Sequence, residues 1–184
     1  EEATAVSVDS SIITVGGHSY DWSSRGQTIF VLSYELDGNL LWSSTWTGPG
    51  HCYVRGIATG PSAIYIVGES YDNASRTVAF VLSADKDGKI LWNRTLSGVG
   101  NYSARCAAAD SSGVYVAGEI IDHTNLSEMR SQTDSFACKL GPEGDRMWNL
   151  TVPGPDDDRA TCLALSREAL YVGDTHGEDV VGAL

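Results

Sequence analysis

The sequence predicts an all-β fold, a β-propeller of four blades of about 50 residues, the last lacking its outermost strand. Three observations predict it. One thirteen-residue segment recurs as FVLSYELDGNLLW (Phe30 to Trp42), FVLSADKDGKILW (Phe80 to Trp92) and FACKLGPEGDRMW (Phe136 to Trp148), and both ends step by 50 and then 56 residues. Four apolar, β-branched runs, SIITVGG, AIYIVGE, GVYVAGE and ALYVGD, place Gly16, Gly68, Gly118 and Gly173 at intervals of 52, 50 and 55. Before each run lies a short segment rich in small residues: 4–9, 54–59, 104–110 and 160–166.

Each repeat therefore reads as four strands, A to D, and the chain as one domain with blades 1–50, 51–100, 101–156 and 157–184. The small-residue segment is strand A, suited to crowding near a central axis. The β-branched run is strand B. A polar B-to-C connection of variable length absorbs most of the spacing differences, as a surface loop of a stacked architecture can. Strand C alternates, so that Phe80, Leu82 and Ala84 share one face, with Phe30, Leu32 and Tyr34, then Phe136, Cys138 and Leu140, as counterparts. An Asp-Gly or Glu-Gly turn then closes a hairpin into strand D. There Trp42, Trp92 and Trp148 mark the buried side, and the next residue, Asn93 or Asn149 in two repeats, points the other way.

On the segments VRGIATG, SARCAAAD, IYIVGE, FVLSADKDG and ILW, the chain resembles the SBBP-type β-propeller repeat of bacterial and archaeal cell-surface proteins. The resemblance covers almost the whole chain. It implies a blade fold and a surface location, and little about activity. In the fourth repeat EDVVGAL aligns with DSFACKL, so the chain stops at the end of strand C. An apolar strand left unpaired is an edge that recruits another chain. A longer parent protein, a tolerated three-stranded blade, and completion by a neighbouring subunit all fit.

The formal charge of −12, with three lysines, repels phosphate backbones and argues against nucleic acid as a partner. No apolar run is long enough for a membrane span. Five of six asparagines, Asn73, Asn93, Asn101, Asn125 and Asn149, stand in Asn-X-Ser/Thr, which points to a glycosylated protein of the cell surface or exterior. The chain opens at Glu1 without Met, as a processed or trimmed N-terminus would.

Few residues suggest chemistry, and the reading is non-enzymatic with no cofactor. Arg55 with Glu69, and Arg105 with Glu119, flank the A-to-B turn and predict cross-strand ion pairs. Glu69, Glu119 and Asp174 are weak candidates for a cation site at one mouth of the axis, with ion pairs the favoured reading. The segment Asp85-Lys86-Asp87-Gly88 reads as a hairpin turn rather than a calcium loop. In the B-to-C loops, Tyr20, Trp22, Tyr71 and Asp72 are candidates for a glycan- or protein-binding surface. His18, His51, His123 and His176 share no ligand spacing, and no nucleophile elbow is present. Cys106 and Cys162 hold equivalent strand-A positions, Cys138 lies two strands out and Cys52 in a loop; free buried thiols are expected over bridges. The function expected is a surface or structural protein that associates with itself through its C-terminal strand edge into a filament or array. The alternative is a binding module of a larger surface protein.

Overall fold

The computed structural model describes residues 1–21, 26–48, 50–71, 76–122, 132–153, 157–175 and 182–183. Among these it is all-β, with four antiparallel sheets following one another along the chain. The first holds β1 (Glu2–Val8), β2 (Ile12–Asp21), β3 (Gly26–Glu35) and β4 (Leu40–Trp46). The second holds β5 (Cys52–Thr59), β6 (Ile64–Tyr71), β7 (Thr77–Ala84) and β8 (Ile90–Leu96). The third holds β9 (Asn101–Asp110), β10 (Gly113–Asp122), β11 (Gln132–Leu140) and β12 (Arg146–Val152). The fourth has three strands, β13 (Ala160–Leu165), β14 (Leu170–Asp174) and the two-residue β15 (Gly182–Ala183). In every sheet neighbours in sequence are neighbours in space, which short connections favour.

The sheets pack in succession through their first strands, β1 on β5, β5 on β9 and β9 on β13. No comparable packing joins the fourth sheet to the first among the described residues. Cores lie between sheets. Ile29, Val31, Val54, Ile57, Phe80 and Leu82 fill the first gap, and Tyr65, Val67, Val81, Val114, Val116 and Phe136 fill the second. The third is made of small groups, Ala117, Ala137 and Ala160, edged by Trp148, Leu163 and Val172.

Each of the first three sheets ends in a hairpin whose turn glycine has positive φ, 94° at Gly38, 84° at Gly88 and 81° at Gly144, a conformation that a Cβ disfavours. Just beyond the turn, the register slips by one residue at Leu41, Leu91 and Met147. These bulges leave all three apolar side chains exposed. The tryptophan that follows reaches across to the next sheet. Trp42 Nε1 donates to Lys86 O at 2.7 Å and Trp92 Nε1 to Pro142 O at 2.6 Å, each ring lying against the next hairpin's glycine.

A second bulge recurs in all four sheets, in the first strand, at Thr4, Arg55, Arg105 and Thr161. It corrects the glycine register expected above: opposite Phe30, Phe80 and Phe136 stand Gly17, Gly68 and Gly118, so Gly17 rather than Gly16 is the match. In the fourth sheet Asp174, not Gly173, pairs with Ala160 as Gly118 pairs with Ala104. At Gly68 a Cβ would collide with the Tyr53 carbonyl oxygen and the Phe80 ring, so the bulge and the glycine go together.

The expected burial of Phe80, Leu82 and Ala84 is found. In the first sheet, however, the fully buried residues of β3 are Ile29, Val31 and Ser33, and the face with Phe30, Leu32 and Tyr34 is half-buried. No sheet of the described residues covers that face.

Candidate functional site

Three places bring chemistry-bearing residues together. The first is a row of side chains joining the sheets at one end of their inner strands. Arg55 Nη2 donates to Glu69 Oε1 at 2.5 Å, and Arg105 donates to Glu119, as the sequence predicts. The bulge turns each arginine back over its own sheet, and the acid then faces the following sheet. Arg159 Nε, from the fourth sheet, lies 3.2 Å from Glu119 Oε2, an ionic contact without hydrogen-bond alignment. Burial raises the Glu69 carboxyl, but the nearby Ser103 hydroxyl together with Arg55 and Arg105 outweighs it and holds the group below its ordinary value. In the first sheet His18 takes the corresponding place, 5.2 Å edge-on from the Tyr53 ring and 3.7 Å from Glu2. Burial keeps that imidazole below its usual range.

The weak cation candidates are not assembled. Glu69 and Glu119 are held by arginines, while Asp174 accepts from Ser135 Oγ at 2.5 Å and from Arg159 N at 2.8 Å. Among the described residues no three His, Cys, Asp or Glu converge as metal ligands do. The row reads as inter-sheet fastening.

The second place is aromatic. Tyr20 and His51 stack with centroids 5.9 Å apart and planes 10° from parallel, and Tyr71 meets His51 edge-on at 6.4 Å. Tyr71 N also donates to His51 O at 3.2 Å, so the loop before β5 is tied to the end of β6. Two of the candidate binding residues, Tyr20 and Tyr71, thus share a cluster through His51, which the sequence reading took only as a failed ligand. Trp22 and Asp72 lie outside the described residues.

The third place is a groove of about 390 Å³ between the third and fourth sheets, lined by Tyr115, Trp148, Leu150, Leu165 and the turn 166–170. It occupies the position where the other sheets insert a hairpin beneath the preceding tryptophan. Trp148 accordingly has no carbonyl partner for its Nε1 among the described residues, unlike Trp42 and Trp92. Asp110 at the groove's end accepts from Ser112 and Tyr115. Its counterpart Asp9 binds Lys86 of the following sheet at 2.8 Å.

Of the sequon asparagines, Asn93 and Asn149 are exposed. Asn101 is half-buried with its carbonyl accepting from Thr77 N at 3.1 Å, and Asn73 and Asn125 lie outside the described residues. The four cysteines are free. Cys52 opens β5 and is buried rather than lying in a loop, Cys138 is buried, Cys106 is half-buried and Cys162 is exposed. Burial pushes the Cys106 and Cys138 thiols up to about 12.

No protein-family model and no curated protein matches the chain. Solved structures do. A tryptophan variant of the Synechocystis apocarotenoid oxygenase is similar over 90% of this chain and 41% of its own, at 11% identity and a TM-score of 0.54. A chimera built on that oxygenase gives the same coverage and identity at 0.55, and another crystal form of a chimera gives 9% identity over 93% of this chain and 42% of its own. The chain thus spans about two fifths of the length of these structures. At such identity the likeness is one of fold alone.

Proposed function

We propose that this chain is the propeller portion of a glycosylated, non-catalytic protein of the cell surface or exterior, and that it associates with further copies of itself. In this reading the four sheets are consecutive blades. The fold likeness to the oxygenases supports the blade assignment, as does packing that runs from one first strand to the next. The SBBP-type resemblance points the same way, and the exposed sequon residues Asn93 and Asn149 support a glycosylated surface.

One observation carries the association. The fourth sheet has three strands where the others have four, and its last strand is an outer edge beside the open Trp148 groove. An edge strand is a template for a strand from another molecule. Head-to-tail pairing of that kind gives a filament or array when it does not close. Proline at Gly182 or at Ala183 tests this, because N–H groups alternate along a strand and one of the two points away from β14. Wild-type protein is expected to sediment as multimers that one proline variant dissolves. A wild-type chain that stays monomeric at high concentration, with its termini verified by intact mass, overturns the proposal. The same mass measurement reports glycans as hexose-sized increments.

The Tyr20, His51 and Tyr71 cluster favours a second reading, a module that binds a glycan or protein at one mouth of the sheets. Saturable binding lost in Tyr71→Ala, without loss of fold, supports it. Unchanged binding in that variant removes it.

A further inference from the structure

We infer that the two outermost sheet faces of the chain are docking partners for each other in different copies: the first-sheet face bearing Val6 and Val8 packs on the fourth-sheet face bearing Tyr171 of a second copy. The inference rests on the self-association proposed above but assigns it to sheet faces rather than to the strand edge.

The argument comes from the interfaces within the chain. Every sheet has one face toward its predecessor and one toward its successor. In the second sheet the face toward its predecessor carries Ile57, Ile64, Ile66, Phe80 and Leu82, all buried in the core shared with the first sheet. Strand register puts Val6, Ile13, Val15, Phe30 and Leu32 at those same positions of the first sheet. The face is as apolar there, yet Val6 is 63% and Val8 61% exposed. At about 25 cal/mol per Å² of apolar area removed from water, covering such a face is favourable.

What covers a face of this kind inside the chain is always another sheet of the same repeat, and the contact follows a rule. Thr14, Tyr65, Tyr115 and Tyr171 share one register position in the second strands. Val8, Thr59, Ala109 and Leu165 share one position in the first strands. The successive pairs meet across the gaps. Thr59 Oγ1 donates to Thr14 Oγ1 at 3.4 Å, Tyr65 and Ala109 pack in one core, and Tyr115 and Leu165 line one groove. Two members of the series have no counterpart in the chain. Tyr171, 41% exposed, lacks a first-strand residue from a following sheet, and Val8 lacks a second-strand residue from a preceding one. A second copy supplies each to the other, continuing the packing already made three times. Both copies carry a formal charge of −12, so the contact strengthens with added salt, which screens their repulsion.

Paired cysteines test the contact. Val8→Cys and Tyr171→Cys are combined in a Cys162→Ser background, oxidised with diamide and run on a gel without reductant. The expected result is a ladder of covalent multimers or a closed covalent dimer, while each single-cysteine variant forms none beyond a trace of dimer. A closed dimer supports the face contact and removes the filament. A second measurement uses Val6→Asp with Val8→Asp, at exposed positions where the fold is kept. Self-association measured by sedimentation should weaken at least tenfold and the salt dependence should be lost. If the protein self-associates but the pair does not cross-link, with both thiols reactive and the circular dichroism native, this inference fails and strand pairing at β15 stands. If the chain is monomeric under all conditions, both fail.

Discussion

Replacing Glu119 with Gln removes the charge at the centre of the fastening between the third and fourth sheets while keeping the side chain's shape. The Glu119 side chain is 4% exposed and faces Arg105 at 35% and Arg159 at 49%. A charge-assisted hydrogen bond to a buried group contributes about 1.5–3 kcal/mol, and stripping a fully buried pair of one partner costs about 3–5 kcal/mol. Here both arginines retain access to water, so the uncompensated-charge penalty is reduced and the loss should be about 2 kcal/mol. For a chain of this size that corresponds to a fall in Tm of about 4–8 °C. Urea and thermal unfolding near neutral pH, followed by circular dichroism, measure it. A double-mutant cycle with Arg159→Met isolates the contact between sheets, expected at about 1 kcal/mol. If Glu119→Gln lies within about 0.5 kcal/mol of wild type, or is more stable, desolvation of the carboxylate outweighs its ion pairs and the fastening role assigned to the row is wrong.

Three further outcomes are expected. Trp92→Phe loses the 2.6 Å bond to Pro142 O and should cost about 1–2 kcal/mol in denaturant unfolding, whereas Trp148→Phe, with no such partner among the described residues, should cost less than about 0.5; equal costs would show that the indole N–H is not a tether. Burial works to raise the Asp9 carboxyl, but Lys86 and the groups of Ser11 and Ile12 outweigh it and hold it far below the usual carboxylate range. Its contribution is therefore fully present above the unfolded pKa of about 4 and is lost as pH falls through the folded value, so Lys86→Met should flatten the fall in stability on acidification below about pH 4 and cost about 1 kcal/mol at neutrality. Iodoacetamide should label the exposed Cys162 of the native protein quickly and leave Cys106 and Cys138 nearly untouched, with mass spectrometry after brief exposure reading the difference.

The strand order of every sheet was legible because the repeat announces itself in residue types that cannot be exchanged freely. Phe30, Phe80 and Phe136 face a glycine, and the Asp-Gly or Glu-Gly turns take positive φ. The paired Arg55–Glu69 and Arg105–Glu119 were legible for the same reason, since opposite charges recur at one spacing. The two bulges were not. A bulge adds one residue without altering composition, so alternation counted straight through it assigns the glycine register one place early in the first and fourth repeats. His51 was missed as a member of the aromatic cluster because Tyr20, His51 and Tyr71 come from three separate loops or strand ends, and only the packing of one sheet on the next brings them together. Which face of each sheet is buried was also beyond alternation alone. Phe30 and Phe80 occupy the same place in the repeat, and what separates them is whether another sheet lies behind.

Because strands pack appreciably only on the sheet before or after their own, the molecule should respond to heat as a zipper rather than as a single melting solid. The second sheet, gripped from both sides by branched and aromatic residues, should keep its amide protons longest during hydrogen exchange. The alanine-lined contact between the third and fourth sheets should let go first, so that fraying begins at the C-terminal end and travels inward.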